Sequence, residues 1–193
     1  VGLFRPDLAR TLGDAAGLDR IRFDHDVVSV ESAGQKAICR FSNGEVYEAD
    51  VLIGADGINS KVREQLIGGV TFRPNEHYAY RFRSTLNLSD VDVDPAAQTG
   101  FYSKQGWLSF IPIGNGRAYW FGSVSGAETF EDFVAFFSGW TKTPIPKTLA
   151  RVSKDLLVQS PLLDVDGVPY KWTHGRITLL GDAAHPMMPD MAQ

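Results

Sequence analysis

The sequence contains two short apolar segments that each run directly into a turn of glycine and aspartate. The first reaches Asp56 and Gly57, and the second reaches Gly181 and Asp182. Glycine lets a backbone approach a ligand closely, and a carboxylate suits a sugar hydroxyl. Each element alone also fits a strand-to-helix turn in which aspartate caps the helix. Two of them favour an open α/β sheet, with both carboxylates at the carboxyl ends of neighbouring strands, where ligands of such sheets gather.

The segment before residue 71 has the pattern of a layered α/β domain. Residues 6–16 begin with a proline and are followed by Gly17, which is typical of a helix. Alternating segments follow, and Asn43 with Gly44 is a hairpin signal between two of them. A helix, a hairpin and a buried-type strand in this order favour an α/β class, α+β overall.

After residue 71 the sequence becomes rich in aromatic residues and strand-like alternation. The segment 114–116 predicts a hairpin turn, and 128–140 an amphipathic helix whose apolar face packs in a core. The chain then returns to the second glycine–aspartate element. We therefore predict one domain formed by 1–71 and 154–193, which carries both glycine–aspartate elements, with 72–153 inserted as a separate sheet domain.

Composition excludes several classes of function. The formal net charge is −4 and no basic stripe is present, which argues against a nucleic-acid partner. No apolar run approaches the roughly 18 residues of a membrane span. Cys39 is the only cysteine, so neither a disulfide framework nor a cysteine metal site is expected, and no metal is predicted. No targeting signal is recognised, and a cytoplasmic location is predicted.

The two elements resemble two motifs of the class A flavoprotein monooxygenases, the p-hydroxybenzoate hydroxylase-like family. The first is similar to the family's Asp-Gly motif, and the second to its Gly-Asp motif. In the family both contact FAD, and the Asp-Gly motif also serves the pyridine nucleotide. The residues that carry the match are Asp56, Gly57, Ser60 and Arg63 in the first element and Gly181, Asp182, His185 and Pro186 in the second.

The resemblance implies a set of cofactor contacts. Asp182 would bind ribityl or ribose hydroxyls, and Asp56 would lie near the pyrophosphate. Arg5 matches an arginine that contacts the dinucleotide at the start of a helix. A wall beside the isoalloxazine ring would run from Pro186 to Pro189. The implied cofactor-binding residues are Arg5, Asp56, Gly57, Arg63, Gly181, Asp182, Pro186 and Pro189.

The resemblance also implies that 1–71 and 154–193 form the FAD-binding domain. The inserted segment 72–153 would then be a mostly antiparallel, substrate-binding sheet that forms one wall of the substrate cavity. Trp107, Tyr119 and Arg81 are the predicted substrate contacts, with Arg83 as the alternative to Arg81. Residues 181–193 look most like the branch that contains urate hydroxylases and zeaxanthin epoxidases. Trp107 stands where the urate enzymes carry an arginine, which removes the partner for a charged heterocycle and argues against urate.

The implied activity is that of an FAD-dependent monooxygenase. Flavin reduced by NAD(P)H would react with O2 to give a C4a-hydroperoxide. One oxygen atom would then enter an aromatic, heterocyclic or alkene (including isoprenoid) small molecule. No side chain is assigned as a catalytic acid or base.

Two alternatives stay open at this point. Residues 106–112 resemble the Gly-Trp-x-Trp-x-Ile-Pro pattern of flavin-dependent halogenases, with Ser109 in place of the second tryptophan. The other alternative is a non-catalytic chain, because the family's phosphate-binding Gly-x-Gly-x-x-Gly is not in this sequence. The sequence also begins at Val1, so we expect an internal fragment of a longer enzyme that holds no FAD and is inactive by itself.

Overall fold

The computed structural model describes residues 2–167 and 171–188, and the chain divides into two compact units. The sheet unit contains the aromatic-rich segments, and the motif unit contains both glycine–aspartate elements. The sheet unit comprises Val1–Leu18 and Pro74–Leu162, and the motif unit comprises Asp19–Arg73 and Leu163–Gln193.

Strands and helices follow one another as mixed α and β elements, as the predicted class requires. The strands are β1 (Val27–Ala33), β2 (Lys36–Phe41), β3 (Val46–Ala49), β4 (Leu52–Gly54), β5 (Thr71–Pro74), β6 (Tyr80–Asn87), β7 (Thr99–Tyr102), β8 (Gly106–Pro112), β9 (Arg117–Val124), β10 (Val158–Pro161), β11 (Leu163–Asp166), β12 (Thr173–His174) and β13 (Ile177–Leu179). The helices are α1 (Arg5–Ala16), α2 (Lys61–Ile67), α3 (Phe130–Phe137) and α4 (Ile145–Leu149), with short 3₁₀ turns at Leu18–Arg20, Leu88–Asp90, Lys154–Leu156 and Gly181–Ala183.

The sheet unit is built on a five-stranded antiparallel sheet in the spatial order β10-β6-β9-β8-β7. One face packs against α3, where Trp120, Phe133 and Phe137 are fully buried. The Trp120 and Phe133 rings stack with centroids 5.9 Å apart. The apolar stripe of the amphipathic helix is therefore core, as its spacing predicts.

Helix α3 begins with a reciprocal cap. The Thr129 hydroxyl accepts a hydrogen bond from the backbone N–H of Asp132, and the Asp132 carboxylate accepts one from the backbone N–H of Thr129. The Thr129 hydroxyl also donates to the Asp132 carboxylate at 2.7 Å, and this bond together with that from the Thr129 N–H holds the pKa of the Asp132 carboxyl below its usual value. The cap fixes the start of the helix that covers the sheet.

We expect Thr129→Ala to lower the free energy of unfolding by about 1 kcal/mol, because α3 loses its cap. Thr141→Ala is the matched control, since Thr141 is exposed in a turn. Urea titration of both variants measures the effect. Equal stabilities would contradict a stabilising role for the cap.

Helix α1 belongs to the sheet unit, and the chain returns to the motif unit after Leu162. The Arg117 guanidinium on β9 holds α1 against the sheet. It forms a 2.8 Å ion pair with Asp7 and lies 4.1 Å from the centroid of the Phe4 ring.

Among the described residues, the motif unit contains two three-stranded sheets, most of the two-stranded sheet of β5 and β11, and helix α2. Strands β1, β2 and β3 form an antiparallel sheet, and β12, β13 and β4 form a second sheet. Its core includes Ala37, Val62, Ile177 and Leu179. Cys39 is buried, which suits the role of a small apolar side chain.

Helix α4 contains a proline, because Pro146 lies in its first turn. Proline is tolerated there because the first N–H groups of a helix have no intrahelical partner. Across the described ranges, no helix combines the length and apolarity of a membrane span.

Candidate cofactor-binding motifs and the aromatic sheet face

The two glycine–aspartate elements meet at one edge of a parallel strand pair. Strand β4 pairs with β13 in parallel, with Gly54 opposite Leu179. The backbone N–H of Leu180 donates to the Gly54 carbonyl at 2.9 Å, so the pairing continues to the ends of both strands. Asp56 and Asp182 follow the carboxyl ends of these neighbouring strands, as predicted.

The Asp56 carboxylate is used to hold the turn that leads into α2. It accepts hydrogen bonds from the backbone N–H groups of Lys61 at 2.8 Å and Val62 at 3.2 Å, and from the Ser60 hydroxyl. Ser60 in turn accepts from the backbone N–H of Arg63 at 2.9 Å. The first N–H groups of α2 are therefore satisfied from within the motif. Asp56 acts here by shaping its own loop.

The Arg63 side chain joins the two motifs. It is 3% exposed, and its guanidinium donates to the backbone carbonyls of Asp182 at 3.1 Å and Ala183 at 3.2 Å. Its other terminal nitrogen donates to the carbonyl of Ile58 at 2.6 Å. A planar cation with several donors suits such a cluster of carbonyl acceptors. Arg63 thus fixes the separation of the Asp-Gly and Gly-Asp turns.

Both motif glycines adopt backbone angles that favour glycine. Gly57 has φ of 81° and Gly181 has φ of 60°. A Cβ added at either position would meet no described atom within 4 Å. The backbone angle therefore explains the glycine at each turn, and the space in front of each turn is open to a ligand.

The Asp182 and Asp56 side chains are both exposed, but the Asp182 carboxylate makes no hydrogen bond to any described residue. The helix predicted after it is a single 3₁₀ turn, in which the N–H groups of Ala184 and His185 donate to the Gly181 carbonyl. Between Gly181 and Met188, the part of this segment that the structure describes, no α-helix N-terminus is present to bind an anion. A free carboxylate acceptor fits the hydroxyl groups of a nucleotide sugar or ribityl chain.

The other residues predicted to contact the cofactor are Pro186, Arg5 and Pro189, and their surroundings differ. Pro186 is buried, and His185 packs against Trp172 with ring centroids 5.2 Å apart, which agrees with a structural role for this histidine. Arg5 is exposed at the start of α1. Pro189 lies outside the described residues.

The face of the sheet opposite α3 carries the predicted substrate residues. Trp107 and Tyr119 are half-buried on this face, as their alternation predicts, and Phe121 lies beside both. The Trp107 and Phe121 centroids are 5.3 Å apart, and those of Tyr119 and Phe121 are also 5.3 Å apart. We call this surface the aromatic face; it consists of Arg81, Arg83, Tyr102, Trp107, Tyr119 and Phe121.

The two arginines of the aromatic face have different surroundings. Arg81 is 6% exposed, with its guanidinium 5.4 Å from the Trp107 centroid and 5.8 Å from the Phe121 centroid, which is a cation–π arrangement. Arg83 is half-buried directly opposite Phe121. Burial raises the pKa of the Tyr119 hydroxyl, and the charges of Arg83 and Arg81 act to lower it.

Sequence patterns did not reveal two positioning residues. Arg117, which anchors α1, has no feature in the sequence that distinguishes it from other strand residues. Tyr102, whose hydroxyl lies 3.1 Å from the Ser109 hydroxyl and whose ring stacks on Trp107, flanks the aromatic face. Alternation in β7 and β8 is the signal that places Tyr102 opposite Trp107. Among the described residues, no group of three or more His, Cys, Asp or Glu is arranged to hold a metal ion.

Both glycine–aspartate turns lie at the carboxyl ends of the parallel strands β4 and β13, which is the edge where open α/β sheets bind ligands. The sequence model of one family, the FAD binding domain, matches residues 4–193. This chain therefore belongs to the FAD binding domain family.

Flavin monooxygenases are among its relatives, as the two motifs predicted. The FAD-dependent urate hydroxylase of Mycolicibacterium vanbaalenii is 35% identical over 201 residues, which are 98% of this chain and 50% of that protein. The aurachin C monooxygenase/isomerase of Stigmatella aurantiaca is 29% identical over 100% of this chain and 51% of that protein. The chain spans about half the length of these two relatives.

A solved structure agrees with these relatives. The Klebsiella pneumoniae HpxO complexed with FAD and uric acid superimposes with a TM-score of 0.80 at 26% identity. The match covers 98% of this chain and 50% of that one. The fold of this chain is therefore that of the corresponding part of an FAD-bound protein.

Proposed function

We propose that the protein containing this chain is an FAD-dependent monooxygenase that inserts one oxygen atom from O2 into an aromatic, heterocyclic or isoprenoid small molecule. The observation that carries the proposal is the meeting of the Asp-Gly and Gly-Asp turns on neighbouring parallel strands, joined by Arg63. The urate hydroxylase and aurachin C monooxygenase relatives support the same class of activity.

Within this proposal the motif unit binds FAD. Asp182 accepts a hydrogen bond from a ribityl or ribose hydroxyl, because its carboxylate is exposed and has no described partner. Asp56 and Arg63 act through the backbone that they hold, so Gly57 and Gly181 approach the cofactor. Pro186 with Pro189 lines the flavin ring.

The bound FAD, once reduced by NAD(P)H, would supply the activation of O2. The chain's own contribution is to bind and orient the substrate and to exclude water. Trp107 and Tyr119 offer flat, half-buried surfaces for a planar substrate, with Arg81 as a third contact that also packs on Trp107. We assign no residue as a general acid or base, and the cytoplasm stays the predicted location.

A labelling experiment tests the proposed activity. The purified full-length protein should show the visible absorbance of FAD and should oxidise NADH or NADPH faster when an accepted aromatic substrate is added. With isotopically labelled O2, one labelled oxygen atom should enter the product. Reduction of FAD by NAD(P)H without incorporation of oxygen into any of a broad set of aromatic and alkene compounds would contradict the proposal.

The isolated chain of 193 residues provides a second measurement. We expect it to bind no FAD and to be inactive, since the Gly-x-Gly-x-x-Gly element that binds the pyrophosphate in the family is not in its sequence. Its flavin absorbance after incubation with FAD and gel filtration measures this directly. Stoichiometric FAD on the isolated chain would show that the two motifs alone are sufficient.

A further inference from the structure

The His25 side chain lies between two hydrogen-bond acceptors in the motif unit. Its Nδ1 atom is 2.5 Å from the backbone carbonyl oxygen of Phe23, and its Nε2 atom is 3.3 Å from a carboxylate oxygen of Glu45. A neutral imidazole has one N–H donor and one acceptor nitrogen, whereas the imidazolium has two N–H donors. Only the protonated ring can therefore donate to both oxygens. In either neutral form, a nitrogen lone pair would face one of them.

Two aromatic rings hold the His25 imidazole in this position. The ring centroid of Phe41 on β2 is 5.1 Å away and that of Tyr47 on β3 is 6.1 Å away, and both contacts are edge to face. Phe41 and Tyr47 also contact each other edge to face, with centroids 5.7 Å apart. The His25 side chain is only 15% exposed. The imidazole is therefore packed on the β2–β3 hairpin and does not move freely in solvent.

Charged and titratable groups reach His25 from the segment before β1 and from the hairpin. The pKa of His25 is raised above its usual value of 6.5, first by the hydrogen bond to the Phe23 carbonyl and then by the Glu45 carboxylate, whereas burial and the charge of Arg22 act to lower it. The pKa of Glu45 is lowered, first by its hydrogen bond with His25 and then by that with the Tyr47 hydroxyl. His25 and Glu45 thus favour each other's charged form.

The segment that His25 holds is the loop 21–26, which leads into β1. Asp24 in this loop has φ of 59°, a left-handed conformation that is unfavourable for a residue with a side chain. Phe23 is 72% exposed, so burial of its ring does not fix the loop. Asp24 and Asp26, the neighbours of His25 in the chain, are exposed as well. His25 therefore supplies a side-chain contact that ties this loop to the hairpin.

We propose that His25 is a pH-dependent clamp, which in its protonated form joins the Phe23 carbonyl of loop 21–26 to the Glu45 carboxylate of the β2–β3 turn and on deprotonation releases the loop. The clamp goes beyond the proposed function, because it involves neither FAD nor a substrate. All of its residues belong to the motif unit. Histidine suits this role because its charge changes near neutral pH.

The pH range of the clamp follows from the two pKa shifts. Because the pKa of His25 is higher in the folded chain, its stabilisation of the clamped loop is complete below the usual value of 6.5 and is lost as the pH rises through the raised pKa. The lowered pKa of Glu45 stabilises the clamped loop above the usual value of 4.5, and this contribution is lost as the pH falls through the lowered pKa. The loop is therefore clamped at mildly acidic pH and released at alkaline pH.

Nitrogen NMR of the full-length protein, with histidine labelled in its ring nitrogens, tests the protonation of His25. Both ring nitrogens should carry a proton at mildly acidic pH, and the ring should titrate above its usual value of 6.5. Glu45→Gln should lower the midpoint, and this change together with the loss of the signal in His25→Phe identifies the resonance. Glu48→Gln is the matched control, exposed on β3 of the same hairpin, and should leave the midpoint unchanged. A His25 ring that titrates at or below its usual value would overturn the inference.

Trypsin cleavage of the full-length protein after Arg22, which is exposed in loop 21–26, measures release of the loop. His25→Phe keeps an aromatic ring on the hairpin but has no N–H donor. At mildly acidic pH this variant should be cleaved about twofold to tenfold faster than the parent protein, the effect of one lost hydrogen bond on the population of open loop. The two rates should converge at alkaline pH, and their comparison at each pH removes the pH dependence of trypsin itself.

Equal rates at mildly acidic pH, or the same difference between the two proteins at every pH, would also overturn the clamp. Neither the NMR titration nor the cleavage requires reduction of FAD or reaction with O2. Their outcome is therefore independent of the proposed monooxygenase activity.

Discussion

Replacing Arg63 by methionine should lower the free energy of unfolding of the protein by about 3 kcal/mol and should weaken FAD binding. The guanidinium is 3% exposed and donates to the carbonyls of Ile58, Asp182 and Ala183. Methionine fills much of the volume but leaves these carbonyls without their charged donor. Hydrogen bonds to charged groups contribute roughly 1.5–3 kcal/mol each and are not fully additive.

Arg40→Met is the matched control, because Arg40 is exposed on β2 of the same unit and the substitution is chemically identical. Urea titration of the full-length protein after removal of FAD gives the stabilities, and FAD titration gives the affinities. Arg63→Lys should be intermediate, since one ammonium cannot reproduce the planar fork. Equal losses in Arg63→Met and Arg40→Met would show that the two motifs do not depend on this link.

The sequence predicted the edge at which the motifs meet but not the way in which they are joined. Each motif is a local pattern of an apolar strand, a glycine and an aspartate, and such local patterns can be recognised in the sequence. Their parallel neighbourhood follows from the common rule for ligand sites of open α/β sheets. The Arg63 link could not be predicted from the sequence, because its acceptors Asp182 and Ala183 lie 119 and 120 residues further along the chain.

Asp56 and Asp182 show why a shared motif residue does not have a shared role. Both follow a strand and lie beside a glycine, so the sequence presents them as equivalent carboxylates. Their surroundings differ, since the N–H groups of Lys61 and Val62 donate to the Asp56 carboxylate, whereas the Asp182 carboxylate makes no hydrogen bond to a described residue. The backbone donors around each carboxylate decide this difference, and the residue pattern of the motif does not show them.

The aromatic sheet was predictable in its faces and less so in its edges. A period of two fixes Tyr119 and Trp120 on opposite faces once β9 is recognised. The short pair β5 and β11 was not recognised, because each strand has four residues and the partner lies far along the chain. The different burial of Arg81 and Arg83 was also not predictable, since alternation places both side chains on the same face but does not give their exposure.

Asp182→Ala should raise the dissociation constant for FAD about tenfold to a hundredfold, while the variant at saturating FAD should largely recover its oxygen-dependent turnover. The carboxylate is exposed at the end of β13 and has no hydrogen bond within the described ranges, so its loss should not disturb the turn itself. A charge-assisted hydrogen bond to a sugar hydroxyl is worth roughly 1.5–3 kcal/mol, which corresponds to this change in affinity.

Asp182→Asn and Asp19→Ala complete the measurement. Asparagine keeps an acceptor oxygen without the charge and should retain part of the affinity, whereas Asp19 is exposed in the same unit and should be neutral. FAD titration followed by turnover at saturating FAD separates retention of the cofactor from the reaction. If Asp182→Ala held FAD normally yet failed to oxygenate substrate, the carboxylate would act in the reaction, and its assignment to the sugar would be wrong.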